Sequence, residues 1–481
     1  MEFIIVKGGN DMKSFLNGDM FPGLNKHNHI LDIFKNAGVH AVLVGGSVRD
    51  AILGVESKDI DLATPLTPDV VTERMEAAGY KVYPTGIDHG TVTVMIPWGD
   101  DDEIGALDDV PIEITTYRVD ACCDGRKADV IFTDDLADDL RRRDFTINAI
   151  AYDGETIYDY DGGIADLDDG TIRTVGDAFD RFHEDYLRVI RGYRFASYLR
   201  STFDDIFMLS NETERCTKCV DMHEKVGTVI SYERVIEEFN KVFKRADRHG
   251  CTQFIKHMYK IGVLTKLLPE LDLGPKPCHE LAQSPTYHPE GDVLTHIAIA
   301  VGCAEGVEGR WIALLHDIAK PVTAAFKVDK DGKQHDYYSF HKHDKIGAEM
   351  IRTSVKDRLP LSNDLINKAA LCALWHLYIY KTPPSSKSVR KVQAAMGEHL
   401  PLLRALGIAD HMGRPISDEI DKYFEEQDVP IKPILLGRHL QEDGWEPGPH
   451  FGPALKAAFD AQLNEGITDL ARLLEVANGK D

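Results

Sequence analysis

Residues 41–64, AVLVGGSVRDAILGVESKDIDLAT, decide how the rest of the chain is read. Ala41–Val44 is a short apolar run of strand character, and Gly45-Gly46 lets the backbone turn sharply with no Cβ in the way. Ser47 is placed to cap a helix of one to two turns, and Gly54 is its stop signal. A helix that opens beside a glycine turn offers free N–H groups and a positive dipole end to a phosphate. Arg49, inside that helix, adds a cation to the same anion. Asp59 and Asp61 follow on an extended segment. Residues two apart on a strand share a face, so both carboxylates address one hard cation. Magnesium takes oxygen ligands and is usually shared with substrate phosphates. Alone, the glycines read as a turn and the aspartates as a solvated strand end. In this order and spacing they are what metal-assisted nucleotidyl transfer requires.

Composition bounds the alternatives. At 481 residues the chain has room for about three domains. It holds no apolar run of about 18 residues, so no membrane span is expected. The opening MEFIIVKGG lacks the basic-then-apolar pattern of a signal peptide, and a cytoplasmic location is expected. Eight cysteines over this length do not form a disulfide scaffold. Cys216 and Cys219, with His223 nearby, lack the second pair that a zinc site needs and read as reduced thiols. A net charge of −24 excludes general affinity for nucleic acid, because phosphate contacts need Lys and Arg. An RNA partner has to meet basic islands, Arg141–Arg143 and the arginines from Arg181 to Arg200. It has to avoid the acidic clusters at Asp100–Glu103, Asp108-Asp109 and Asp134–Asp139, which read as solvated loops.

GGxVRDxxLG followed by DxD is similar to the signature of the polymerase-beta nucleotidyltransferase superfamily. The form is that of class II CCA-adding enzymes and bacterial poly(A) polymerases. Downstream, a helix is expected over residues 67–78, with strands at His89–Ile96 and Ile112–Tyr117 around the acidic loop Gly99–Asp109. Glu113 either supplies the third carboxylate that such folds direct toward the metals or simply faces outward. RRRDFTINA, residues 141–149, resembles the family's second motif. The resemblance implies that Arg143, Asp144 and Asn148 bind triphosphate and ribose, Asp144 accepting from ribose hydroxyls. Asp161-Gly162-Gly163 with Asp166-Leu167 resembles the family's DGGxxDL element, and reads as a flexible joint or as a tight turn.

A single helix is expected over Asp180–Leu199, with Asp185 and Arg188 on one face. That spacing alone describes an ordinary ion pair. EDxLRxxRxxRFA also resembles the class II nucleotide-selecting motif, which implies nucleotide contacts for Asp185, Arg188, Arg191 and Arg194. Adenine and cytosine each present an exocyclic amine beside a ring-nitrogen acceptor, so Asp185 accepts and Arg188 donates. Guanine and uracil reverse that order, and each unpaired group costs about 1–3 kcal/mol. Such a pair selects ATP and CTP with no nucleic-acid template.

Beyond a linker at Gly274–Pro289 come His288 and His296, then His316-Asp317 in WIALLHDIAKP, then His341, His343 and His376, and Asp410 in IADHMGRP. This resembles the HD phosphohydrolase pattern. His296, His316, Asp317 and Asp410 are the expected ligands of one metal, and His341, His343 and His376 the histidines for a second. Imidazole with carboxylate suits a divalent transition metal such as Ni2+, Mn2+ or Co2+. Such a domain either hydrolyses a phosphomonoester, or a cyclic or 2′-phosphodiester, or serves as scaffold.

The expected architecture is an α/β nucleotidyltransferase head with a mixed sheet (1–173) and an all-α neck and body (174–284). An all-α HD domain (285–415) and a helical tail (416–481) complete it. The resemblance implies CCA addition to the tRNA 3′ end from CTP and ATP, with Mg2+ on Asp59 and Asp61, by a monomer or homodimer. The rival readings are a poly(A) polymerase or A-adding enzyme, and a metal phosphohydrolase whose head only binds nucleotide.

Overall fold

The computed structural model describes residues 2–7, 12–17, 21–55, 60–98, 108–121, 129–199, 206–380, 386–413 and 432–479. Asp59, Arg200, the Asp100–Glu103 cluster and residues 414–431 lie outside them. The chain forms two compact units, Met1–Val242 and Phe243–Asp481.

The first unit is built on a mixed sheet. Its strands are β1 (Glu2–Lys7), β2 (Met12–Asn17), β3 (Val42–Val44), β4 (Asp61–Thr64), β5 (Lys81–Gly86), β6 (Thr91–Trp98) and β7 (Asp108–Thr116). After a separate ribbon of β8 (Arg118–Ala121) and β9 (Asp129–Phe132), the chain returns as β10 (Ile150–Tyr152) and β11 (Thr156–Asp159). The order across the sheet is β2-β1-β11-β10-β3-β4-β7-β6-β5. The pairs β1–β11 and β4–β7 are parallel. The uniformly apolar β3 is central and fully buried, the pattern of a strand covered on both faces. On β7 burial alternates instead, with Ile112 and Ile114 inside and Glu113 exposed.

The helix after the glycine turn spans Gly46–Ile52 and buries Val48, Ala51 and Ile52. Gly54, at φ +69°, ends it as expected. Ser47 is not its cap. Gly45 takes that position at φ +68°, and the Ser47 hydroxyl accepts the Asp61 N–H at 3.0 Å, tying the turn to β4. The Pro68–Ala77 helix follows with Thr67 at its N-cap. The DGG element is a pinned turn, because the Asp159 carboxylate accepts the N–H groups of Gly162, Gly163 and Ile164 at 2.7–3.0 Å.

The single helix expected over Asp180–Leu199 is two, Ala178–Glu184 and Leu187–Tyr198. Between them Asp185 is extended (φ −151°, ψ 105°), and its side chain accepts the Leu187 N–H at 3.1 Å. This is an Asx-turn, in which the short carboxylate replaces a helical carbonyl.

The second unit is largely helical. Gly262 (φ +79°) separates the helices Arg248–Lys260 and Val263–Leu267. The helices Val293–Cys303, Gly306–Leu315, His343–Met350, Asn363–Trp375 and Leu400–Asp410 follow. Phe254, Ile297, Trp311, Leu315 and Leu403 are among its buried side chains. An antiparallel hairpin, Ala324–Val328 with Gln334–Phe340, interrupts the all-helical plan. The tail has an apolar core of its own around Leu435, Leu440, Ala458 and Leu473. No helix among the described residues is long and apolar enough to cross a membrane.

Candidate nucleotidyl-transfer and metal sites

In the head, Asp61 opens β4 level with Glu113 on the parallel neighbour β7, and both residues are exposed. Two carboxylates thus stand on adjacent strands, next to the turn that Ser47 ties to Asp61. Two arginines close on that turn. A Cβ on Gly45 would stand 2.6 Å from Arg143 Nη1, and one on Gly46 would stand 3.5 Å from Arg49 Nη2. The absent side chain of Gly45 therefore makes room for the Arg143 guanidinium, whereas a Cβ on Gly46 would only touch Arg49. Arg143 is held by Asp139 at 3.0 Å. Burial would raise the Asp139 carboxyl, but the charges of Arg143 and Arg142 hold it below its ordinary range.

Arg49 and the residues of the second motif form one buried network. Arg49 pairs with Asp50 at 2.6 Å and donates to Asn148 Oδ1 at 2.6 Å. Asn148 Nδ2 donates to Asp144 Oδ1 at 2.9 Å, and the Phe145 N–H donates to the same oxygen at 2.9 Å. The other oxygen, Oδ2, faces Arg191 Nε at 2.7 Å and Nη2 at 2.6 Å. The Asp144 carboxyl lies well below its usual range, because Arg191 and the hydrogen bond from Asn148 overcome the opposing effect of burial. Protein donors reach both oxygens, and Asp144 ties the second motif to the Leu187–Tyr198 helix. Arg194 also has partners within the unit. It is buried, paired with Glu238 at 2.5 Å and bonded to Tyr198 at 2.7 Å, so its charge is satisfied inside the unit. Arg194 and Arg49 both lie over the Phe195 ring, at 4.0 and 5.0 Å.

Asp185 and Arg188 are close in sequence but not paired with each other. Asp185 Oδ2 meets Arg234 at 2.8 Å, and Arg188 Nη1 meets Glu184 at 2.5 Å. Arg188 also donates to the carbonyls of Arg181 and Arg142. Glu184 lies within the quoted motif, whereas no sequence signal points to Arg234, 49 residues from Asp185.

In the second unit, helix ends and one helix interior bring five of the predicted ligands together around Asp317. His296 Nε2 lies 3.2 Å from Asp317 Oδ2 and 2.8 Å from Asp410 Oδ1. His316 Nε2 lies 3.1 and 3.4 Å from the same two atoms. The other oxygen, Asp317 Oδ1, faces His343 Nε2 at 3.3 Å and His376 Nε2 at 3.7 Å. Asp317 thereby belongs to two convergent groups, one with His296, His316 and Asp410 and one with His343 and His376. His341 is exposed and stands in neither. Lys342 adopts φ +65°, a left-handed conformation that directs the chain into the His343–Met350 helix.

The donor set fits a divalent cation. His296 Nε2 and His316 Nε2 are buried and make no hydrogen bond of good geometry, although carboxylate oxygens surround them. Burial disfavours charge on these rings, yet the carboxylates raise His296 to about 10 and His316 to about 9. For His376 burial prevails and lowers it to about 4. Lys320, three residues after Asp317, meets Asp317 Oδ2 at 2.6 Å and donates to Gln283 at 2.7 Å. Lys320, Glu290 and His288 complete the cluster without having been singled out as ligands. The motifs HDIAK and HPEGD were their only signal. Among the described residues, Cys216, Cys219 and His223 form no convergent ligand group.

A mixed-sheet head followed by a helical unit with a His/Asp centre defines a two-part nucleotidyltransferase-type chain. Residues 41–173 match the poly A polymerase head domain, and residues 293–412 match the HD domain. A CCA-adding enzyme of Lactobacillus gasseri is 42% identical over 217 residues, which cover 44% of this chain and 48% of that protein. This match and others like it thus span about half the length of the relatives concerned. A CCA-adding enzyme of Latilactobacillus sakei subsp. sakei is 30% identical over 435 residues, covering 89% of this chain and 90% of the relative. The fold is shared with the Bacillus stearothermophilus CCA-adding enzyme in complex with CTP. That structure has a TM-score of 0.65 and 23% identity, with 95% of this chain and 98% of the other covered. The chain belongs to the CCA-adding enzyme family.

Proposed function

We propose that this protein adds C, C and A to the 3′ end of tRNA from CTP and ATP, without a nucleic-acid template, in the cytoplasm. The observation that carries the reading is the register of Asp61 beside Glu113, both exposed, at the Gly45-Gly46 turn. Residues 1–173 act as head, 174–284 as neck and body, 285–415 as HD domain and 416–481 as tail. The N–H groups of the turn, together with Arg143, receive the triphosphate. Asp59 and Asp61, with Glu113, hold Mg2+, which when bound neutralises phosphate charge and eases loss of the proton from the attacking 3′-hydroxyl. Asp185 and Arg188 read the base. Each exchanges or shares a present partner, Arg234 for Asp185 and Glu184 for Arg188, so base binding is a swap between polar partners and not a new burial of charge. Arg191 and Asn148 hold the second motif in place through Asp144. Support comes from the family membership and from the shared fold of a neighbour solved with CTP.

The test is extension of a tRNA transcript that lacks its CCA end. Asp61→Ala should lose addition by at least 100-fold with the protein still folded, and wild-type extension by that variant would refute the assignment. Arg188→Ala should lose discrimination against GTP and UTP by roughly 10-fold or more, in line with the ~1–3 kcal/mol of an unpaired group.

The His/Asp cluster supports a second activity, hydrolysis of a phosphomonoester or of a cyclic or 2′-phosphodiester at an RNA end. Ni2+, Mn2+ or Co2+ there supplies Lewis acidity toward the phosphate. Asp317 and Asp410 provide the anionic ligands, and Lys320 brings a buried cation beside them.

A further inference from the structure

The four inward-facing histidines of the HD cluster are not oriented alike. His316, His343 and His376 each place Nδ1 against a backbone carbonyl, of Ala313, Phe340 and Ala373, at 2.6–2.7 Å. His296 alone places Nδ1 against a carboxylate, Glu290 Oε1, at 2.7 Å. The Glu290 side chain is only 4% exposed. The same oxygen meets His288 Nδ1 at 3.0 Å, and the His288 ring stands edge-on to His296 at 4.8 Å. Oε2 has no hydrogen bond. A buried carboxylate is expensive to keep, and this one serves two imidazoles, with the shorter contact to His296.

An anionic partner on one ring nitrogen fixes the tautomer and makes the other nitrogen a stronger donor than a carbonyl partner does. The two ligand groups differ in the same sense. The one with His296 and His316 has two carboxylates, Asp317 and Asp410, whereas the one with His343 and His376 has only the shared Asp317. We propose that the centre holds two divalent cations with unequal affinity, and that Glu290 is the positioning residue that makes the His296 subsite the tighter one. This rests on the metal-centre reading above.

The test is a Mn2+ titration of the full chain, followed by calorimetry and by electron paramagnetic resonance. All proteins carry Asp61→Ala, which removes the head carboxylate from the titration, and with the cluster otherwise wild type they should show a tight and a weak class of site. Glu290→Gln keeps the shape and the acceptor but removes the charge. It should weaken the tight class about 10–100-fold and leave the weak class unchanged. Glu290→Ala should weaken the tight class at least as far. If neither Glu290 variant folds, His288→Gln, at the part-exposed end of the relay, should weaken the same class several-fold. A Glu290→Gln protein with both wild-type affinities, or one weakened equally in both classes as a general structural loss would do, overturns the role of Glu290 and leaves the metal centre standing. A wild-type cluster that takes up no more Mn2+ than Asp317→Ala overturns the metal centre and the inference together.

Discussion

Asp144 is legible in the sequence as a residue type, but its partners in the fold are not. The RRD pattern marked it, but the donors that fill it come from Phe145, Asn148 and, 47 residues away, Arg191. No spacing rule reaches that far. The consequence is measurable. Asp144→Asn leaves Arg191 without its anion and should cost about 1–3 kcal/mol in a urea melt at pH 7. The folded carboxyl is held below its unfolded value of about 3.9. Its contribution is therefore complete above that pH and is lost as pH falls toward the folded value. The stability gap between wild type and Asp144→Asn should shrink below pH 4, and a gap that stayed constant into acid would contradict the network. The partner of Arg194 is also distant in sequence, since it pairs with Glu238.

Among the elements, those with local signals were readable and those made by side-chain competition were not. The Gly54 stop, the Thr67-Pro68 start and the period-two burial of β7 all follow from residues within a few positions of one another. The break at Asp185 does not, because the apolar spacing runs through it and only the Asx-turn to Leu187 interrupts the helix. The pinned DGG turn carries its own prediction. A Cβ on Gly163 would lie 2.2 Å from the Thr146 carbonyl oxygen, so Gly163→Ala should lower stability by about 1–3 kcal/mol, read as a drop in Tm. Gly45→Ala combines strain of about 1–2 kcal/mol at φ +68° with a clash on Arg143. It should raise the KM for ATP and CTP more than it lowers Tm. An unchanged KM would detach Arg143 from the triphosphate.

At the scale of the whole molecule, the two proposed sites belong to two units, with Asp61 in Met1–Val242 and Asp317 in Phe243–Asp481. Both were legible as ordered motifs. The hairpin inside the second unit was not, because its residues 324–340 alternate lysine, aspartate and aromatic groups in a way that also describes a polar loop. The separation predicts independent loss. Asp317→Ala should abolish Mn2+ uptake at the His/Asp cluster and hydrolysis of a 2′,3′-cyclic phosphate end while CCA addition continues, and Asp61→Ala should abolish CCA addition while leaving that uptake and hydrolysis in place. The central claim is addition of a defined triplet, and the most direct measurement is extension of tRNA transcripts that end before CCA, after C and after CC. Each is supplied with Mg2+ and with CTP, ATP or both, and products are resolved at single-nucleotide spacing. C, C and A should be added in order, followed by a stop. A long ladder of A, addition of A to the CC end alone, or no extension at all would contradict it.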